Sequence, residues 1–249
     1  MSDPVLSTAA DRPDLFRRAN ELTKDVWPPY NTHGVFLSLL WPRLEHRFGD
    51  YQFTIHDPDT EEVLAQGHPV PAYWDGTLEG LPEGIDEVVK RAFDGVYPGR
   101  RMPTTLAGLS VTVPRANRGR GLSRHVIEGM RKIAAAHGLA PIIVPVRPVM
   151  KERYPLTTIE RYVGWRRADG TAFDPWIRIH EDIGGSILRP APTSLEIEGT
   201  IAEWEDWTQM AFPETGEYVI PQGLTTVSIN IERNLGRYFE PNVWVRHSM

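Results

Sequence analysis

One segment, Leu106 to Tyr154, constrains the fold of this chain more than any other. Apolar residues alternate from Leu109 to Val113, which predicts a strand with one buried face. A loop rich in glycine and arginine follows, and from Leu122 the apolar residues recur at helical spacing. The apolar run at 141–146 predicts a second strand. The segment therefore predicts a strand, a glycine-rich loop, an amphipathic helix and a second strand, in that order.

The loop between the first strand and the helix has the composition of an anion site. A helix N-terminus exposes unpaired N–H groups and carries partial positive charge, so helices favour acidic residues in their first turn. Here arginines surround the helix start, and no acidic residue occurs before Glu128. Gly119 and Gly121 allow the backbone to turn its N–H groups towards a ligand at close range. We therefore predict a phosphate or diphosphate site at residues 118–121.

Two common phosphate-binding patterns do not fit this loop, and a third resembles it. No Gly-Lys-Ser/Thr tripeptide follows the glycines, and Arg124 stands where the dinucleotide pattern G-x-G-x-x-G needs its third glycine. The run Arg118-Gly119-x-Gly121 after a valine-rich strand resembles the acyl-CoA loop of the Gcn5-related N-acetyltransferase (GNAT) superfamily. That signature is Gln/Arg-x-x-Gly-x-Gly/Ala, and its first position is Ala116 here.

The resemblance implies a fold, a co-substrate and a set of binding residues. The implied fold is mixed α/β (α+β), with a mostly antiparallel central sheet flanked by helices and an expanded C-terminal half. The implied co-substrate is acetyl-CoA or another acyl-CoA, whose pantetheine arm follows the strand before the loop. The residues expected to bind it are Leu109, Val111, Val113, Arg118, Gly119, Arg120, Gly121, Leu122 and Ser123.

A second match concerns a tyrosine after the second strand. The family often shows Asn-x-x-Ala-x-x-x-Tyr there, and its tyrosine is placed to protonate the leaving CoA thiolate. The same spacing gives Arg147-x-x-Met150-x-x-x-Tyr154, with the tyrosine in register and the other two residues replaced. The resemblance thus implies Tyr154 as the general acid, and an ordinary packing role beside Pro155 is the alternative.

An N-acyltransferase also needs a group that takes the proton from its acceptor amine. The C-terminal half offers several candidates without choosing among them: His180, Glu196, Glu198 and Glu203. Glu198, at the end of a predicted strand over 194–198, is our candidate base.

The activity implied by the resemblance is direct transfer of an acyl group to the amine of a small molecule. The replacements at Arg147 and Met150 keep two alternatives open. One is a GNAT-fold enzyme that decarboxylates, hydrolyses or transfers a thioester carried on CoA or on a carrier protein. The other is a non-catalytic acyl-CoA-binding module. The acceptor, the acyl length and the choice between monomer and homodimer are left open.

Composition excludes several other classes of protein. The 249 residues contain no cysteine, which excludes disulfides, cysteine metal sites and thiol catalysis. No HExxH motif occurs and no two histidines stand four residues apart on a predicted helix, so no metal is expected. The net charge of −6 predicts no nucleic-acid partner. No apolar run has membrane-spanning length and the first residues lack a signal pattern, so we expect a cytoplasmic protein with no membrane partner.

The rest of the chain fits one domain over residues 1–249, with a motif core at 106–162 and an elaboration at 163–249. Before the core we predict a loose or lightly docked end at 1–11, a helix from Pro13, a helix over 34–48 that is broken or bent near Pro42, and a hairpin at 51–66. The long connection 69–103, with a helix over 84–93, is either an acceptor-recognition element or a surface loop. After the core, Asp174 before Pro175 and the capping-box pair Thr200 and Glu203 predict two helix starts. The segment 237–247 predicts a final strand pair or an edge segment, and Pro241 favours an edge.

Overall fold

The computed structural model describes residues 3–94 and 102–249, and its strands form a single sheet. The strands are β1 (Val5–Thr8), β2 (Phe53–His56), β3 (Val63–Ala72), β4 (Thr105–Thr112), β5 (Ile142–Val146), β6 (Gly185–Gly199), β7 (Gly216–Val219), β8 (Thr226–Asn230) and β9 (Leu235–His247). They are ordered β1-β2-β3-β4-β5-β9-β8-β7, and β6 pairs with β9. Among the described strands every pairing is antiparallel except that of β4 with β5. The predicted mixed fold with a mostly antiparallel sheet is confirmed.

Helices cover both faces of this sheet. They are α1 (Pro13–Thr23), α2 (Leu37–Leu40), α3 (Leu44–Phe48), α4 (Ile85–Asp94), α5 (Ser123–Ala136), α6 (Ile159–Val163), α7 (Pro175–Asp182) and α8 (Ile201–Thr208). The helix predicted over 34–48 is present as α2 and α3, which a short turn containing Pro42 separates. Proline lacks the N–H that a continuous helix needs at that position.

Alternation along the central strands divides the core into two layers. Leu106 and Ile142 pair across β4 and β5 and share a buried cluster with Met130 of α5. The next pair, Ala107 and Ile143, belongs to a second cluster that contains residues of α3 and α4. Successive side chains of a strand point to opposite faces, so α5 lies on one face and α3 with α4 on the other.

The C-terminal half builds a third buried cluster on β6, β8 and β9. Trp204 of α8 is fully buried there and donates its indole N–H to the Gly236 carbonyl over 2.9 Å. The predicted capping box at the start of α8 is present, because Thr200 and Glu203 bond each other's backbone N–H groups. Asp174 likewise caps α7 as its sequence predicts.

Both ends of the chain belong to the sheet. Residues 5–8 form β1, which docks on β2 and is not loose. The C-terminal segment is not an edge strand, because β9 lies inside the sheet between β5 and β8. Pro241 is tolerated there because β8 pairs only as far as Arg237 and β5 pairs only from Val243. Its missing N–H therefore breaks no ladder with either strand.

The connection predicted over 69–103 is partly regular structure. β3 continues to Ala72, and α4 confirms the helix predicted over 84–93. Residues 95–101, which belong to the same connection, lie outside the described residues.

Candidate active site

The strands β4 and β5 separate soon after they meet. Their parallel register comprises only Leu106 with Ile142 and Ala107 with Ile143. From Gly108 onward, the backbone groups of β4 that face β5 have no strand partner. A cavity of about 1150 Å³ occupies this gap and reaches both faces of the sheet. The gap therefore offers an extended ligand a strand edge inside the protein.

A bulge in β4 lies beside the same gap. Gly67 pairs with Val111 and Pro69 pairs with Gly108, so two residues of β4 oppose the single residue His68 of β3. The extra residue on β4 is at Leu109–Ser110. A bulge of this kind redirects backbone N–H groups and neighbouring side chains. His68 thus faces the point at which β4 leaves β5.

The glycine-rich loop forms the end of the cavity next to α5. Gly119 and Gly121 have φ values of +79° and +72°, and open space surrounds the position of any added Cβ atom. α5 has no side-chain cap and no acidic residue in its first turn. Asn117 anchors the loop by donating from Nδ2 to the Val63 carbonyl over 2.9 Å. The uncapped N–H groups and the glycines form the kind of surface that binds phosphate.

The structure brings together nearly all of the residues predicted to bind acyl-CoA. Those that line the cavity are Leu109, Val111, Val113, Arg118, Gly119, Gly121, Leu122 and Ser123. Arg120 is not among the lining residues, because its guanidinium donates to Asn117 over 2.7 Å and lies 3.6 Å from the Glu62 carboxylate. Its position indicates that it supports the loop from behind.

His68 lines the cavity on the side opposite α5. Its ring is buried between Phe16 and Trp41, with centroid distances of 5.4 Å and 4.6 Å. Nδ1 lies 3.0 Å from Oε1 of Gln52. Burial lowers the pKa of His68 to about 3, so the imidazole is neutral near pH 7.

A carboxylate lies in the first turn of α3, four residues after Trp41. Glu45 is half-buried and lines the cavity, and no ion pair involves it within residues 3–94 and 102–249. Trp41, in the turn before α3, lines the same cavity. An aromatic face and a free carboxylate together suit a cationic ligand.

A polar network forms the end of the cavity near β9. Glu240 is buried, accepts from Nε of Arg147 and from the hydroxyl of Tyr238, and lies 3.4 Å from Nδ2 of Asn31. Burial raises the pKa of Tyr238 well above its usual value, so this hydroxyl stays a donor. Asn242, two residues along the same face of β9, is buried and also lines the cavity.

Tyr154 lies away from the cavity lining. Its ring packs edge-on against Trp165 and Phe173, at centroid distances of 4.9 Å and 5.9 Å, and against Tyr162 at 6.1 Å. Its backbone carbonyl accepts from Nζ of Lys151 over 2.8 Å. The structure therefore does not bring the tyrosine predicted as general acid to the cavity wall.

Glu198 also lies outside the cavity lining. It accepts from Nε of Arg237 over 2.6 Å on the outer side of the β6–β9 pair, where Glu196 lies 3.3 Å from the same guanidinium. Glu203 caps α8. Of the four candidate bases only His180 lines the cavity, and its Nδ1 is 2.9 Å from Nε2 of His247.

Sequence reasoning missed His68, Trp41, Glu45 and Glu240 as site residues. One signal for His68 was present, because Gln66 and His68 are polar residues at alternate positions of a strand that is otherwise mostly apolar. The predicted strand ended at Gln66 and so did not include His68.

Neither a metal cluster nor a membrane-spanning helix occurs among the described residues. No group of three or more histidine, aspartate or glutamate side chains there is arranged to hold a metal ion. In the same residues, no helix has both the length and the apolar character needed to cross a bilayer.

Comparison with known proteins places this geometry among related folds. No family model matches the sequence. Arginine N-acetyltransferase avaD of Aspergillus versicolor is 32% identical over 271 aligned residues, covering 97% of this chain and 93% of the relative. The loading GNATL domain of CurA from Lyngbya majuscula aligns with a TM-score of 0.61 and 14% identity, over 99% of this chain and 98% of that one. The GphF GNAT-like decarboxylase in complex with isobutyryl-CoA aligns with a TM-score of 0.56 and 12% identity, over 99% of each chain. The predicted GNAT-like fold is thereby confirmed.

Proposed function

This chain belongs to the GNAT superfamily, and from that premise we propose that it transfers an acetyl group from acetyl-CoA to an amine of a small cationic acceptor of the arginine type. The protein is an acyltransferase, and its co-substrate is an acyl-CoA. The proposal adds the acceptor class, the acyl group and the residues that act.

The observation that carries the proposal is the coincidence of three features in one cavity. The cavity is bordered by the open N-terminus of α5 with Gly119 and Gly121, by the unpaired edge of β4, and by the bulge at Leu109–Ser110. A diphosphate on the loop and a pantetheine arm along β4 would bring the thioester to the bulge. Phosphate at a helix N-terminus and backbone pairing along a strand edge are both favourable.

The proposed reaction is direct attack on the thioester. The acceptor nitrogen forms a bond to the carbonyl carbon, and the carbon–sulfur bond then breaks. A backbone N–H of β4 beyond Ala107 would stabilise the oxyanion, since groups on that edge have no strand partner. No acyl-enzyme forms in this scheme, in keeping with a sequence that has no cysteine.

The acceptor class follows from the relative and from the wall opposite the loop. The relative is named for arginine, which carries an α-amine and a guanidinium. Glu45 and Trp41 line the cavity near His68, and together they suit a guanidinium held beside a reacting amine. We therefore place the acceptor between Trp41, Glu45 and the bulge of β4.

The test measures thiol release from acetyl-, isobutyryl- and malonyl-CoA, with and without arginine, agmatine and a neutral amine. Release from acetyl-CoA that requires a cationic amine supports the proposal. Release without any amine would instead favour decarboxylation or hydrolysis, the class to which the second structural neighbour belongs by name. If acyl-CoA binds but no thiol is released under any condition, the protein is an acyl-CoA-binding module without catalytic activity.

A further inference from the structure

We propose that His68 carries the proton from the attacking amine to the leaving sulfur, and that Gln52 is the positioning residue that prepares its imidazole. The inference rests on the proposed N-acetyl transfer and concerns which side chain handles the proton of that reaction. It assigns a catalytic residue to the wall opposite the acyl-CoA loop.

The position of His68 in the sheet supports this role. His68 is the single residue of β3 that faces the two-residue bulge of β4. The bulge begins two residues after Ala107, the last residue of β4 that pairs with β5. A thioester that reaches the bulge from the loop would therefore have its carbonyl carbon beside the imidazole. His68 lines the same cavity as the loop glycines.

The tautomer of His68 is the second argument. Nε2 of Gln52 donates to the Pro69 carbonyl over 2.7 Å, which leaves Oε1 of the amide pointing at the imidazole. An amide oxygen only accepts, so Nδ1 of His68 must carry its hydrogen. Nε2 is then the nitrogen with the lone pair. Within the described part of the chain no protein group bonds it.

The proton balance shows what this lone pair can do. When the nitrogen–carbon bond has formed, the acceptor nitrogen carries one proton more than the amide product holds. Nε2 takes that proton, the carbon–sulfur bond breaks, and the imidazolium returns the proton to the thiolate. The nitrogen and the sulfur are bonded to the same tetrahedral carbon, so one imidazole can serve both. An acceptor that enters as an ammonium loses a further proton to solvent before it attacks.

The surroundings of His68 suit a carrier that holds its proton only briefly. Phe16 of α1 and Trp41 pack on the ring, and Gln52 beside β2 bonds it. Burial alone accounts for its depressed pKa. An imidazolium in that setting gives its proton readily to a thiolate, whereas the same low pKa makes uptake of the proton from nitrogen the more demanding half of the relay. Glu45 of α3 and Lys24, which directly follows α1, are charged residues that also line the cavity.

Two other titratable groups of the cavity are already engaged. His180 shares a hydrogen bond with His247, and Glu240 is held by Arg147 and Tyr238. Neither shares the position of His68 opposite the bulge of β4.

The first experiment replaces the imidazole. His68→Ala should lower kcat by about a hundredfold or more while the Kd of acetyl-CoA stays near that of the wild type. Added imidazole should restore part of kcat, in proportion to its neutral form, because it can enter the space left by the side chain. His56→Ala is the matched control, since His56 is a buried histidine of β2 that does not line the cavity. It should show neither the loss nor the rescue.

The second experiment changes the partner of Nδ1. Gln52→Glu places a carboxylate against Nδ1–H and raises the pKa of His68, so Nε2 becomes protonated at higher pH. In this variant kcat/KM should fall as the pH is lowered within the range pH 5–8. Protonation of His68 should cause no such fall in the wild type. Gln66→Glu is the control, because Gln66 is a buried glutamine that bonds Asn20 and Thr23 instead of the imidazole.

The outcomes separate this inference from the proposed function. A wild-type protein without amine-dependent thiol release refutes the acetyl transfer itself. A wild type that acetylates arginine while His68→Ala keeps its kcat, or loses it without imidazole rescue, overturns the role of His68. If His68→Ala does not fold, His68→Gln keeps most of the volume, and the pH profile of Gln52→Glu decides alone. An unchanged profile in Gln52→Glu also counts against the proposal.

Discussion

The two walls of the cavity are built in different ways. The donor wall comprises β4 from Gly108 and the loop 118–123, so it comes from one continuous segment and presents mainly backbone groups. The acceptor wall comprises Trp41, Glu45, His68 and Glu240, which come from separate elements and present side chains. In our proposal one wall therefore recognises its ligand through main-chain geometry, and the other through individual functional groups.

This difference explains why the two walls tolerate different changes. Backbone recognition depends on positive φ values and on an uncapped helix start, so Ala116 can replace the first signature residue without altering Gly119 or Gly121. Recognition by side chains depends on each residue separately. Single substitutions on the acceptor wall should therefore change the acceptor or the rate and leave acyl-CoA affinity intact.

The largest expected effect is on the donor wall. Gly121→Asp should weaken acetyl-CoA binding by more than about a hundredfold, because a negative side chain would occupy the diphosphate position. Calorimetric titration measures the affinity. Gly170→Asp is the control, since Gly170 also has a positive φ, of +81°, with open space around it, yet lies outside the cavity. Equal losses in both variants would mean that backbone strain, and not the anion site, is responsible.

Acid should act mainly through three buried histidines. Burial lowers the pKa of His68 to about 3 and also lowers the pKa values of His180 and His247. Below about pH 6.5 these histidines bind protons in the unfolded chain but stay neutral in the folded protein. Their contribution to the free energy of unfolding is therefore complete above pH 6.5 and is lost as the pH falls towards 3. Each histidine should lower the free energy of unfolding by about 1.4 kcal/mol per pH unit in that window.

Urea unfolding between pH 7 and pH 5 measures this slope. His68→Asn should reduce this slope by the contribution of one histidine. His46→Asn, at an exposed position, should leave it unchanged. A wild-type stability that is flat across this range would contradict the burial of neutral histidines.

A smaller effect is expected at the carboxylate of the acceptor wall. Glu45→Gln should raise KM for arginine or agmatine about fivefold, which corresponds to about 1 kcal/mol for a partly exposed ion pair. KM for a neutral amine and for acetyl-CoA should not change. Glu128→Gln removes the same charge from the exposed side of α5 and should alter none of these constants. An equal rise for charged and neutral acceptors would remove Glu45 from cation recognition.

The smallest effect is expected at Tyr154. The family resemblance assigns the protonation of the leaving thiolate to this residue, whereas our proposal assigns it to His68. If Tyr154 were the general acid, Tyr154→Phe would lower kcat by about a hundredfold. Because His68 returns the proton in our proposal, and the Tyr154 ring packs among Tyr162, Trp165 and Phe173, we expect kcat close to that of the wild type. Steady-state thiol release decides between them.

Local signals predicted the parts of the fold that depend on neighbouring residues. The positive φ at Gly119 and Gly121, the caps at Asp174 and Thr200, and the break at Pro42 are set within a few residues of chain. The same holds for the strand–loop–helix–strand order of the donor wall. Most of the predicted acyl-CoA residues line the cavity for this reason.

Long-range pairing decided the features that local signals missed. Pro241 favoured an edge by its own chemistry, yet β9 lies inside the sheet because its neighbours pair on either side of that residue. Tyr154 had the right spacing from β5, but the aromatic rings of residues 162–173 hold it away from the cavity. Glu198 was placed on the correct strand, but pairing of β6 with β9 puts it beside Arg237.

The sequence by itself determined the donor wall, because glycine conformations, an uncapped helix start and an alternating strand are properties of consecutive residues. Only the tertiary structure decided the acceptor wall. The proposed role of His68 depends on a bulge in β4, an amide before β2 and a ring from the turn before α3, and these segments meet only when the sheet and the helices have packed.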